Sequence, residues 1–399
     1  MTRPARLAAA LTAAAVLTPA LAVATPARAD SIREQQQWAL DAIHAPDAWE
    51  TTRGEGITVA VLDTGVDADH PDLAGAVLPG HDLVGLGASP GDDTWAAHGT
   101  AMAGIIAGRG HGPDNGSGVI GVAPAARILP VRVLLEDDDP ERDEARRTRT
   151  GALAEGIRWA ADQGADVINL SLGDDSDSAR PDPEQDAAVR YALDQGAVVV
   201  ASAGNGGDEG DPVSYPAGYP GVIAVAAVDR SGATTDFSTR RWYTTVSAPG
   251  KDVIVADPDG RYYAGWGTSA AAAFVSGSVA LLRAAYPDLT PAQVRDLLAD
   301  TAQNPPPGGR DDTFGSGVVD PAAAIEAAAE LVAAPLEPAA EPYTARYFGP
   351  GPRPVTGGDT SWLAPAAGAA GTLFMVGAAV LTARLRRRTG APWWRPDQW

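Results

Sequence analysis

The chain has 399 residues, 45% of them apolar, which suits one large domain with a sizeable core plus appendages. It contains no cysteine, and this excludes a disulfide framework, a zinc–thiolate centre and a cysteine nucleophile. The formal charge of −21 at pH 7 argues against nucleic acid as a partner and suits solubility outside a cell.

In chain order, residues 1–29 read as a secretory signal peptide. Arg3 and Arg6 precede an apolar run over 7–23, and Ala27-Arg28-Ala29 places small residues where a signal peptidase reads them, so cleavage is expected before Asp30. Residues 30–53 form an N-terminal segment in which Trp38, Leu40 and Ile43 are apolar enough to pack on the domain beyond residue 54. Gln35, Gln36 and Gln37 suit backbone hydrogen bonding, and the segment is expected to remain as part of the fold. The competing expectation is a short propeptide that blocks the site until it is cut.

Residues 54–332 alternate apolar strand-like runs with Ala-rich helical runs, as a parallel sheet with crossover helices requires. Strands are predicted at 57–63, 126–134, 165–172, 197–204 and 221–228, and helices at 151–164 and 184–196. Between a strand and a helix, residues 135–149 run from acidic side chains into Arg146, Arg147 and Arg149. They read as an exposed insertion, either simply solvated or a docking or processing loop.

Residues 333–362 contain Pro335, Pro338, Pro342, Pro350, Pro352 and Pro354 and read as a semi-extended linker. Residues 363–383 are apolar and uncharged, long enough for a transmembrane helix across a ~30 Å hydrocarbon core. Arg384, Arg386, Arg387 and Arg388 come next, so the tail 384–399 is expected in the cytoplasm and residues 30–362 on the extracellular side of the cell membrane.

Candidate chemistry lies at the ends of the predicted elements. Asp63 ends a buried strand before Thr64-Gly65; alone it would cap a turn. His98 precedes a run of small residues with helical spacing, where a capping or core histidine is common. Ser269 opens a long apolar helix after Gly267-Thr268. A helix N-terminus offers free N–H groups to a developing oxyanion, although an ordinary N-cap is the commoner role for such a serine. Together the three make an Asp, His, Ser set in that chain order, suited to nucleophilic catalysis with a general base.

The stretches AVLDTGVDADHPDL, HGTAMAGIIAG and GTSAAAAFVSGSVALLRAAYP resemble the three signature blocks of the subtilase family, and VVVASAGNGG adds a fourth. The resemblance covers roughly residues 30–330. It implies an α/β fold, a subtilisin-like three-layer domain with a central parallel sheet flanked by helices, and a serine endopeptidase. Asp63, His98 and Ser269 would be the triad, and Asn205 would donate to the oxyanion. Activity would then rise with pH where an unperturbed histidine titrates, about 6.5. Ser171, Leu172 and Gly173, with Ala203 and Gly204, would line the first specificity pocket, with Ser214 at its floor. Their lack of charge implies a small or medium, uncharged residue before the cleaved bond.

No cofactor is expected, with one candidate held open. Residues 111–124 resemble a calcium-binding loop of the family, in which Asp72, carbonyls around Asn115 and Ser117, and an amide or acid within 34–36 could supply six oxygens. A loop held by its own hydrogen bonds is the alternative. The chain departs from the family at Ser269-Ala270-Ala271-Ala272-Ala273-Phe274, where a Met and a later Pro are usual, and it leaves no room for a large propeptide.

The whole layout, with Gln37-Trp38 near its start, resembles the mycosins, membrane-anchored subtilases of type VII secretion. Mycosins commonly carry disulfides, so this cysteine-free chain is a divergent relative. That resemblance implies secreted proteins as substrates and association with the type VII secretion membrane complex. The alternative is a scaffold subunit that stabilises the complex, with catalysis secondary.

Overall fold

The computed structural model describes residues 31–92, 94–176, 179–331 and 363–388. Its strands are β1 (Thr58–Asp63), β2 (His81–Asp82), β3 (Arg109–His111), β4 (Ser117–Ile120), β5 (Arg127–Arg132), β6 (Val167–Leu170), β7 (Val198–Ser202), β8 (Ile223–Val228), β9 (Thr244–Pro249), β10 (Lys251–Ala256) and β11 (Tyr262–Trp266). Its α-helices are α1 (Ser31–Ala42), α2 (Ala45–Ala48), α3 (Ala97–Ala107), α4 (Arg142–Thr148), α5 (Ala152–Asp162), α6 (Pro183–Asp194), α7 (Thr268–Ala285), α8 (Pro291–Asp300), α9 (Pro321–Ala328) and α10 (Leu363–Arg388).

Seven strands form one parallel sheet in the order β2-β5-β1-β6-β7-β8-β9. A parallel sheet must be covered on both faces, and the alternation of side chains along each strand divides the core in two. Val59 and Val61 of β1 face a core shared with Ile105 and Ile106 of α3 and Phe274 and Val275 of α7. Ala60 and Leu62 face the other, with Ile157 of α5 and Val189 of α6. All five predicted strands and both predicted helices are present, with ends within two residues of those predicted. The short edge strand β2, the β3–β4 and β10–β11 hairpins and β9 carried no sequence signal strong enough to be read.

Helix α7 is long and apolar enough to cross a membrane, yet most of it is buried in the core. Its packing is close: a Cβ added at Gly277 would lie 2.5 Å from the Val122 Cβ. Helix α10 covers the predicted span, and its described apolar side chains, including Leu373, Phe374 and Met375, are exposed. The predicted signal peptide 1–29, the whole linker 333–362 and most of the tail 384–399 lie outside the described residues.

The N-terminal segment is helical and docked on the domain. Leu40 and Ile43 are fully buried in the α3–α7 core, and Trp38 packs against its edge. Gln36 grips the backbone of Ile120 in both directions: its Nε2 donates to the carbonyl at 2.7 Å and its Oε1 accepts from the N–H at 2.9 Å. Among the described residues, Gln35 and Gln37 bond within α1, to the Ser31 carbonyl and to Asp41.

The charged stretch 135–149 is more ordered than the exposed insertion expected from its composition. Leu135 and Ala145 are buried against Val84, and α4 occupies its second half. The buried Asp139 carboxylate accepts from the N–H groups of Ala88 and Glu141 at 2.8 Å each. The apolar partner sits about fifty residues earlier in the chain, where local sequence gives no sign of it.

Leu40→Ala is expected to destabilise the folded chain by about 2–5 kcal/mol, because it opens a cavity under α1. Urea unfolding of the purified protein reads this directly. A change well below 1 kcal/mol would mean that the segment adds little to the fold.

Candidate active site

The site gathers at the carboxyl ends of the central strands, where an open parallel sheet presents a crevice. Asp63 is the last residue of β1 and is fully buried. Its Oδ1 accepts from the backbone N–H of Thr64 at 2.8 Å and pairs with His98 Nδ1 at 2.8 Å. His98 lies in the first turn of α3. That helix can come so near β1 only because the next residue is Gly99: a Cβ there would stand 1.8 Å from the Gly65 carbonyl oxygen.

Several influences act on the His98 ring. Desolvation favours the neutral imidazole and is the largest single influence. The Asp63 charge and hydrogen bond, then the charges of Glu136 and Asp137, together outweigh it and push the pKa up to about 9. The unperturbed titration near 6.5 expected from sequence is therefore displaced upward by the neighbouring carboxylates.

Ser269 lies in the first turn of α7, after Gly267, which has φ +136°. Its hydroxyl donates to the Ser171 carbonyl at 3.1 Å, and the Ser171 hydroxyl donates back to the Ser269 carbonyl at 2.8 Å. The Ser171 side chain is thus oriented toward α7. Behind it, Asn169 Nδ2 donates to the Ser171 hydroxyl at 3.0 Å, and Ser276 donates to Asn169 Oδ1 at 2.9 Å.

Asn205 is exposed just beyond β7. Its Oδ1 accepts from both the N–H and the hydroxyl of Thr268 at 2.9 Å each. With the oxygen so engaged, the Nδ2 amino group is the end left to donate. The first N–H groups of a helix have no partner within the helix, so α7 offers donors of its own beside this amide.

The expected pocket residues also converge. A Cβ at Gly173 would lie 2.5 Å from Ser214 Oγ, and one at Gly204 would lie 3.2 Å from Ser214 Cβ. Ser214 is fully buried between the two glycines, and its hydroxyl has no hydrogen-bond partner among the described residues. Leu172 accepts from Ser202 at 3.2 Å, and Ala203 accepts from the Tyr243 hydroxyl at 3.1 Å. The same hydroxyl accepts from the Ser214 N–H at 3.0 Å, and burial pushes the Tyr243 pKa up to about 12. Tyr243, Thr268 and Glu136 were not singled out from sequence. Thr268 stood inside the quoted GTS block; the other two gave no local signal.

The calcium candidates form a different kind of site. The carbonyls of Asn115, Ser117 and Gly118 accept from the Arg33 guanidinium at 3.2, 3.3 and 3.0 Å. Both oxygens of the buried Asp72 are engaged: Oδ1 by His111 Nδ1 at 2.6 Å, and Oδ2 by the Val119 N–H at 2.9 Å and the Tyr262 hydroxyl at 2.8 Å. The carbonyls of Asn115 and Ser117 thus already face a cation that belongs to the protein, while Asp72 is engaged by His111, Val119 and Tyr262 rather than by Arg33.

Comparison with known proteins gives this geometry a family. Residues 54–317 match the model of the subtilase family, Peptidase_S8. The chain belongs to that family and is a subtilisin-like serine endopeptidase. Thermitase from Thermoactinomyces vulgaris is 38% identical over 68% of this chain and 90% of its own length. Mycosin-1 from Mycobacterium tuberculosis is 36% identical over 80% of each. The solved MycP3 protease from the type VII (ESX-3) secretion system superposes with a TM-score of 0.60 at 35% identity, covering 72% of this chain and 87% of that one. Among its relatives the chain thus stands close to the mycosins of type VII secretion.

Ser214→Ala is expected to leave thermal stability unchanged or slightly raised, because it removes a buried hydroxyl without a partner. It should also widen the residue preference before the cleaved bond toward longer uncharged side chains, read by peptide-library profiling. A gain of preference for Arg or Lys would contradict the placement of this residue at the pocket floor.

Proposed function

We propose that this chain is a membrane-anchored endopeptidase that cuts secreted proteins in association with a type VII secretion membrane complex, with Asp63, His98 and Ser269 as its triad. The 2.8 Å bond from His98 Nδ1 to the buried Asp63 carries the catalytic reading. It fixes the tautomer and leaves Nε2 as the base. For reaction, the Ser269 hydroxyl turns from the Ser171 carbonyl toward that nitrogen. Oγ attacks the peptide carbonyl as its proton passes to His98, and Asp63 stabilises the imidazolium without taking the proton. The oxyanion accepts from Asn205 Nδ2 and the N–H of Ser269. Collapse expels the amine, which takes the proton from His98. Water then attacks the acyl-enzyme by the same proton path and releases the acid.

The apolar stretch in α10, with arginines at its end, supports a single span with the protease domain outside the cell. The likeness to mycosins supports the secretion assignment, with protein substrates and no nucleic acid. Stability is independent of calcium in this reading, because Arg33 supplies the positive charge to the loop carbonyls.

A fluorophosphonate is expected to label the parent chain and not Ser269→Ala, and culture medium from that variant should lose the cleaved forms of secreted proteins. Secretion that persists without cleavage would favour the scaffold role; labelling that survives the substitution would remove Ser269 as nucleophile. Because the base must be neutral, kcat/KM should rise with pH through about 9. Asn205→Ala should lower kcat by roughly a hundredfold or more with little change in KM. Excess chelator should leave the melting temperature unmoved, while Arg33→Ala should lower it.

A further inference from the structure

The helix that carries His98 begins without a local cap. The residue before it, Ala96, has left-handed backbone angles and no side chain that could accept from the first turn. Two residues from outside the helix take that place. Glu136 Oε1 accepts from the His98 N–H at 2.8 Å, and Thr64 Oγ1 accepts from the Gly99 N–H at 3.1 Å. The two caps are linked, since the Thr64 hydroxyl also hydrogen-bonds Glu136. Thr64 in turn gives its own N–H to Asp63. One continuous set of bonds therefore joins the His98 backbone, Glu136, Thr64 and Asp63.

Glu136 is held in place from both sides. Leu135 is buried against Val84 and Ala145, and Asp137 pairs with Arg142 at 2.5 Å. Charge reaches His98 from two elements: Asp63 from β1, and Glu136 and Asp137 from the segment after β5. Asp137 has its charge countered by Arg142. Arg132 lies 4.7 Å over the Trp95 ring and pairs with Asp82 at 3.2 Å, so its charge is engaged elsewhere. The first turn of α7 brings no charge. A helix N-terminus disfavours a cation near it, so an imidazolium at the start of α3 needs a compensating anion on its backbone side as well as Asp63 on its ring side.

We infer that Glu136 is a positioning residue of the peptidase: it caps the helix that carries His98 and keeps a negative charge beside the imidazole as it takes up the proton. This rests on His98 acting as the general base. Burial raises the Glu136 pKa above the ordinary carboxylate range, against the hydrogen bonds from Thr64 and His98.

Glu136→Gln separates the two parts of the role, because an amide oxygen can still accept from His98 and Thr64 but carries no charge. The full-length variant is expected to melt with the parent, while the rising limb of kcat/KM moves to lower pH by roughly one unit. Glu136→Ala should lose the cap as well, with a lower melting temperature and a lower kcat at the alkaline plateau. NMR titration of the His98 ring in the Ser269→Ala background, with and without Glu136→Gln, reads the same shift without activity and covers the case in which Glu136→Gln alone turns over poorly. A limb and a ring titration that stay where the parent has them would overturn the inference and leave the general-base reading intact. A parent profile with no limb near the ring titration would overturn both.

Discussion

The buried carboxylate of Asp63 is the constraint around which the domain is arranged. A charge at the end of a fully buried strand is costly unless hydrogen-bonded and paired. Its Oδ1 has two partners, the Thr64 N–H and the His98 ring, while Oδ2 is buried without one among the described residues. To bring His98 within 2.8 Å, α3 must meet the end of β1 almost backbone to backbone, and Gly99 permits it. That approach places the start of α3 where no local side chain can cap it, and the caps come from Thr64 and Glu136 instead. The ion pair, the glycine and the borrowed caps are consequences of one placement.

The candidate site is legible in the sequence where a residue and its proposed role share a short block. Asp63, His98, Asn205 and Ser269 each sit at an element end recognisable from a few neighbours, and the central strands are apolar runs that need no partner to be read. What escaped reading depends on contacts across the fold. Glu136 looked like one acid in a run of acids; its distinction is the backbone N–H of His98, brought to it by the packing of α3 against β1. Tyr243 stood in an unremarked stretch, yet its hydroxyl ties Ser214 to Ala203 behind the pocket. The stretch 135–149 read as solvated because charge dominates its composition, whereas Leu135 and Ala145 suffice to anchor it on Val84.

With no cysteine to cross-link it, the domain relies on packing and on hydrogen bonds between distant segments. The N-terminal helix shows how both act together. Leu40 and Ile43 bring apolar surface, while Gln36 satisfies the β4 backbone at Ile120 as a neighbouring strand would. Arg33, one turn earlier, takes three carbonyls of the adjoining loop. Carbonyls that converge in this way attract a cation, and a planar guanidinium with several donors can answer them without leaving the chain. The positive charge that closes the loop also fixes α1 to the domain.

The start of α7 obeys the same logic. The family's usual Met and later Pro are replaced by a run of alanines, which favours an uninterrupted helix and brings little side chain of its own to hold Ser269. Polar contacts from the neighbouring strands hold it instead. Ser171 and Ser269 exchange hydroxyl-to-carbonyl bonds, Asn169 fixes Ser171 and is itself fixed by Ser276 two turns along α7, and Thr268 binds the Asn205 amide oxygen. Each of these groups is a donor or acceptor that would be destabilising if buried alone. The small side chains Ala270 to Ala273 let α7 lie close enough to β6 and β7 for all of them to be satisfied at once. The alanine run therefore keeps Ser269 in register with the strand ends by permitting close approach, and the serine–asparagine network supplies the direction that the alanines cannot.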